Sequence, residues 1–214
     1  MPVTTSVREV ETPQGAARAH VRRPRGARGT VVLGHGAGGG LGALDLAVAG
    51  EVLTGEGWAF VLVEQPWLVA GRRIAGRPPT LDEAWVPVVR SLLAGRARLP
   101  RPLVVGGRSA GARVACRTGA QVQADGSLLL SFPLHPPGRP DRLRADELAL
   151  APSPSWLVHG RTDPFGTPDE VRAHLPDGAT LFEVAGAHSF PAGSRAALTA
   201  ALTTAAQGLD VLRH

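Results

Sequence analysis

Short, almost unbroken apolar runs recur along this chain, separated by amphipathic stretches. Thr30-Val31-Val32-Leu33, ending at Gly34, is the first. Ala59-Phe60-Val61-Leu62-Val63, Pro102-Leu103-Val104-Val105, Ser127 to Phe132, Ser155-Trp156-Leu157-Val158 and Thr180 to Val184 follow. Runs this short, without polar alternation, fit strands buried on both faces. Between them the apolar residues fall at helical spacing. Leu44 to Leu53, Leu81 to Leu93 and Ala110 to Gln121 are predicted helices, the second capped by Thr80 with Glu83 as its capping-box partner. Thr167-Pro168-Asp169-Glu170 opens another, and an Ala/Leu-rich helix runs from Ser194 to Leu212. Only the first segment differs. Val7 to Thr12 alternates, Pro13-Gln14-Gly15 turns, and Ala16 to Val21 returns, as a hairpin with one face in water would.

Buried strands that alternate with helices must pair in parallel, because each helix carries the chain back across the sheet. The predicted fold is therefore α/β: a mostly parallel twisted sheet with helices on both faces, led by an antiparallel hairpin. Residues 1–214 read as one domain, with no internal repeat. Residues 133–152 form a proline-rich, lid-like connection, too short for a cap domain, with one helix expected over Leu143 to Leu150. In such a sheet the reacting groups belong at the C-terminal ends of the strands.

Composition narrows the setting. Lone Cys116 excludes a disulfide framework and a cysteine-based zinc site. No run approaches the roughly 18 apolar residues of a membrane span. Met1 to Arg8 lacks an apolar signal core, so a cytoplasmic location is expected. The pI near 11.2 invites a nucleic-acid reading. However, all 23 basic residues are Arg and Lys and Tyr are absent, so a net charge of only +5 suffices to give it. The dense run from Arg22 to Arg28 reads as a solvated loop, and neither nucleic acid nor membrane is an expected partner.

Chemistry collects at the strand ends. The third buried strand runs into Gly107-Arg108-Ser109-Ala110-Gly111, a G-x-S-x-G sequence between a strand and a helix. That arrangement makes a tight turn with an exposed serine oxygen. A serine hydroxyl needs a base, and the base an orienting acid. The fifth strand ends in His159-Gly160-Arg161-Thr162-Asp163, offering Asp163; the sixth ends in Ala185-Gly186-Ala187-His188, offering His188. The first ends in Gly34-His35-Gly36-Ala37-Gly38, whose amides suit a developing oxyanion. Ala110 and Ala37 are the expected donors, with Gly36 the alternative to Ala37. Trp67, Leu68 and His135 are candidate substrate contacts. Arg72, Arg73 and Arg161 are candidate carboxylate binders. Arg108 is expected to bond neighbouring loops, and Cys116 to be a buried apolar residue.

With these residues in view, the chain resembles the α/β-hydrolase superfamily over nearly its full length. More narrowly it is similar to the small dienelactone-hydrolase-like branch and the hydrolase-like domains grouped with it. Gly34 to Gly38, Gly107 to Arg113, Phe132-Pro133-Leu134-His135 and His159 to Asp163 carry that likeness. The resemblance implies a serine-hydrolase fold without a large cap. Dienelactone hydrolases usually place cysteine where Ser109 stands. The expected activity is cleavage of a small or medium carboxylic ester or thioester through an acyl-enzyme. The expected partner is a small-molecule acyl substrate, with no metal or organic cofactor. Loss of activity below about pH 6–7 is expected if an imidazole is the base. Two alternatives stay open. A nicotinamide-dependent oxidoreductase would use Gly34-x-Gly36-x-x-Gly39 and Glu64, and a catalytically silent interaction domain would use none of this chemistry.

Overall fold

The computed structural model describes residues 2–38 and 40–213. Its strands are β1 (Val3–Thr12), β2 (Gly15–Pro24), β3 (Thr30–Gly34), β4 (Ala59–Glu64), β5 (Leu103–Arg108), β6 (Gly126–Leu130), β7 (Ser155–Gly160) and β8 (Ala179–Val184). They form one sheet in the order β1-β2-β4-β3-β5-β6-β7-β8. The β1–β2 and β2–β4 pairs are antiparallel, and every other pair is parallel. The predicted sheet, with its leading hairpin, is the observed one. The hairpin is longer than its alternation suggested: at its open end residues 3–6 continue the ladder against residues 21–24.

The longer helices are α1 (Leu44–Gly55), α3 (Pro78–Leu92), α4 (Ala110–Thr118) and α7 (Arg195–Gly208). One-turn helices α2 (Pro66–Val69), α5 (Ala145–Leu148) and α6 (Pro168–Arg172) lie between them. The central strands, β3 to β7, are largely apolar because both faces are covered. Val31 and Leu33 pack with Leu46 and Leu53 of α1 and Leu198 and Leu202 of α7. Val32, one residue between them, packs instead with Trp85 and Val89 of α3 and Val114 of α4. Period two within a continuous apolar run thus feeds two cores. No described helix is long and apolar enough to cross a membrane.

Several helix limits differ from expectation. α3 starts at Pro78, not behind Thr80: the Pro78-Pro79 pair, with its preset φ, occupies the first turn. Thr80 Oγ1 donates backwards to the Arg77 carbonyl at 2.8 Å, and Glu83 instead accepts Gln14 Nε2. The box forms at α6, where the Glu170 carboxylate accepts the Thr167 amide at 2.7 Å and Thr167 Oγ1 accepts the Glu170 amide. α4 ends at Thr118 and gives way to a 3-10 turn, Ala120–Val122. The terminal helix likewise has 3-10 flanks at Ala192–Ser194 and Leu209–Arg213. Between β6 and β7 only one turn, α5, is helical, where Leu143 to Leu150 was expected. Leu148 alone of that stretch is fully buried, so there is little apolar face to sustain a longer helix.

Candidate active site

Ser109 stands between β5 and α4 with φ +54°, a left-handed backbone conformation unusual for a side-chain-bearing residue. Its amide donates to the Leu130 carbonyl at 3.0 Å, which ties the turn to β6. Glycines allow the turn. A Cβ on Gly107 would lie 2.5 Å from the Gly34 carbonyl oxygen, and one on Gly111 would lie 2.4 Å from the same atom. At Gly107, φ of +153° adds a second reason for glycine. The end of β3 and the start of α4 therefore meet backbone to backbone.

Ser109, His188 and Asp163 come from three separate loops and meet. Ser109 Oγ lies 2.9 Å from His188 Nε2. His188 Nδ1 lies 2.9 Å from Asp163 Oδ2 and 3.1 Å from Oδ1. Asp163 is 1% exposed, and its Oδ1 also accepts the Phe165 amide at 2.8 Å. The Phe165 ring stacks on the imidazole with centroids 4.0 Å apart. His159 lies beneath: its Nε2 donates to the Gly166 carbonyl at 2.7 Å, and burial lowers its pKa.

Two further devices hold the loops. Arg108 Nη2 donates to the His188 carbonyl at 2.8 Å and to Ser189 Oγ at 2.7 Å, while its Nε lies 3.2 Å from Asp45 Oδ2. One guanidinium thus joins the serine turn, the histidine loop and α1. Burial pushes the Asp45 pKa up, against the pull of Arg108. On the other side, His35 Nε2 accepts the Gln65 amide at 3.1 Å, so Nδ1 carries the proton and donates to the Gly36 carbonyl at 2.9 Å. Burial lowers the His35 pKa, in keeping with a neutral ring. The Gly36 carbonyl belongs to the peptide whose N–H is that of Ala37.

Ala37, Ala110, Ser109 and His188 line one cleft of about 350 Å³, together with Pro133 and Phe165. As the first residue of α4, Ala110 has an amide without an intrahelical acceptor. The other candidates scatter. Trp67 lines a small cavity beside Ala37 and Ala110, and its ring tilts against that of His35, centroids 5.3 Å apart. Leu68 does not contact the cleft: it packs against the apolar core beneath α3. His135 also turns away, its Nδ1 donating to the Pro136 carbonyl at 2.9 Å and its Nε2 lying 3.4 Å from Glu170. Proximity to a strand end does not set the direction of a side chain. Arg72 lines a separate polar cavity with Gln14, and Arg73 and Arg161 are exposed. Cys116 is buried, which raises its thiol pKa. Gly39 lies outside the described residues, and the Glu64 carboxylate is paired with His20 Nε2 at 3.0 Å. Among the described residues no group of three His, Cys, Asp or Glu is arranged to hold a metal ion.

Asp45, Phe165, Arg113 and Arg144 were not read from the sequence as parts of the site. For Arg113 a signal existed: it follows Ser109 by four residues, one helical turn. Asp45, in the first turn after the glycine loop, carried only the mark of a helix-opening acid.

A family model described as alpha/beta hydrolase domain matches residues 27–210. Solved structures of similar fold include an α/β serine hydrolase without a lid from Xanthomonas campestris (TM-score 0.77, 16% identity, 97% of this chain and 96% of that one). A dienelactone hydrolase from Anabaena variabilis is similar too (TM-score 0.75, 19% identity, 99% of each chain). So is an esterase from Pyrococcus furiosus (TM-score 0.77, 15% identity, 99% of this chain and 94% of that one). No curated protein sequence matches the chain.

Proposed function

This chain belongs to the alpha/beta hydrolase family, and from that membership we propose that it is a serine hydrolase of small or medium carboxylic esters or thioesters. The observation that carries the reading is the unbroken hydrogen-bond chain from Ser109 Oγ through His188 to Asp163, with both links at 2.9 Å. Nucleophile, base and orienting acid are within bonding distance before any substrate arrives.

In this reading Ser109 Oγ adds to the substrate carbonyl as its proton passes to His188 Nε2. The oxygen of the tetrahedral intermediate takes the negative charge and accepts the amides of Ala37 and Ala110, each contributing about 3 kcal/mol to lowering the barrier. Asp163 accepts the His188 Nδ1–H and offsets the imidazolium charge. The intermediate collapses, the leaving oxygen or sulfur takes the proton from Nε2, and the acyl group stays on Ser109. Water then adds to the acyl carbon, giving a proton to His188. The second intermediate expels Ser109 Oγ, which regains that proton, and the free acid departs. Phe165 holds the imidazole ring in plane through these transfers.

A fluorophosphonate probe tests this directly. A covalent adduct on Ser109, absent in Ser109→Ala, is the expected outcome. Turnover of a panel of 4-nitrophenyl esters and acyl-CoA thioesters should fall in the same variant by about 10³-fold or more. An unlabelled wild-type protein that leaves every ester intact would instead favour the silent interaction domain.

A further inference from the structure

Three arginines, Arg108, Arg113 and Arg144, line the cleft that holds Ser109 and His188. Two are compensated by carboxylates. Arg108 lies against Asp45. Arg113 grips Glu147 twice, Nε to Oε2 at 2.9 Å and Nη2 to Oε1 at 2.6 Å. Glu147 also accepts Arg117 Nη1 at 2.6 Å, but Arg117 has its own partner in Asp82. Two guanidinium groups and two carboxylates therefore balance in that network.

Arg144 has no such partner among the described residues. Its Nη1 donates to the Pro133 carbonyl at 2.9 Å, which fixes one edge of the half-buried guanidinium. The other N–H groups of that guanidinium have no hydrogen-bond partner among the described residues, yet none is sealed from solvent. Burial first, then the adjacent Arg113, pulls its pKa down against the weaker attraction of Glu147, which Arg113 and Arg117 already share. A guanidinium remains charged at neutral pH regardless, so the cleft holds a positioned, uncompensated cation. Apolar walls such as Phe165 and Pro133 strengthen any ion pair formed there.

We infer that Arg144 binds an anionic group of the substrate, and that the favoured substrates are esters or thioesters carrying a carboxylate close to the scissile carbonyl. A flat two-oxygen anion matches the open edge of an anchored guanidinium. The inference rests on the serine-hydrolase reading of the same cleft.

Two matched pairs of esters test it. 4-Nitrophenyl hemiglutarate against 4-nitrophenyl pentanoate places the charge on the acyl side; 4-carboxyphenyl pentanoate against phenyl pentanoate places it on the leaving group. In at least one pair, kcat/KM should favour the charged ester by about tenfold. That preference should shrink with added salt. It should fall to within about twofold in Arg144→Gln and return in part in Arg144→Lys, since a lysine keeps the charge but not the fork. Equal rates in both wild-type pairs would overturn the inference with no variant needed, as would a preference that survives Arg144→Gln. If neither ester of any pair is cleaved and Ser109 takes no fluorophosphonate, the hydrolase reading itself falls. Cleavage without charge preference removes only the role of Arg144.

Discussion

His35 holds a single peptide bond in place through its Nδ1–H, and that peptide carries the Ala37 amide. A hydrogen bond to the Gly36 carbonyl fixes the plane, and it also polarises the N–H on the opposite side of the same bond. In the proposed mechanism His35 touches no reacting atom and acts as a positioning residue. Replacing it with Ala should lower kcat by about 10- to 100-fold while KM changes little, because the misaimed amide matters only once the oxyanion forms. Steady-state kinetics on one nitrophenyl ester would check this, and a rise in KM with unchanged kcat would contradict it. Arg108 likewise ties two segments together, bound to Asp45 on one side and to the His188 carbonyl on the other. Single residues at this site hold backbone, and backbone holds the chemistry.

Among the elements, α4 leaves β5 at a crowded junction over the end of β3. There the backbone at Gly111 approaches Gly34 so closely that a methyl group has no room. Gly111→Ala should cost roughly 1–3 kcal/mol of stability, read as a lower urea midpoint, because backbone on both sides must shift. An unchanged midpoint would mean that the junction is softer than its geometry states. This junction was legible in the sequence, since a glycine on each side of Ser109 at a strand–helix boundary implies a crowded turn. Asp163 and His188 were legible for a related reason: apolar runs end sharply, and the residues just beyond them face one edge of the sheet. What escaped were contacts made by loops folding over that edge. Phe165 on His188, Asp45 on Arg108, and Arg144 lining one cleft with Ser109 bring together segments with no shared periodicity. His135 turns from the cleft because its ring bonds its own neighbour Pro136, a local choice that no strand pattern encodes. The start of α3 was misread because two prolines outcompete one threonine for the first turn.

For the whole molecule, two interior histidines set a pH limit. His35 is 3% exposed and His159 fully buried, and burial depresses both pKa values. A depressed imidazole binds its proton more weakly folded than unfolded, so the unfolded chain takes up more protons as pH drops. Their stabilising contribution is complete above the ordinary histidine value of about 6.5 and is lost as pH falls below it, by up to about 1.4 kcal/mol per pH unit for each ring. The urea midpoint should therefore fall between about pH 7 and about pH 5.5, and a level midpoint would contradict two neutral interior rings. At the same scale, the connection from β6 to β7, which leaves the C-terminal edge of the parallel strands, carries one turn of helix, α5, and no cap domain. Enzymes that enclose their guests can reject them by girth. With so little overhead, girth above the edge is a weak filter, and in the proposed reading the choice among small and medium acyl groups falls to whatever groups the rim presents.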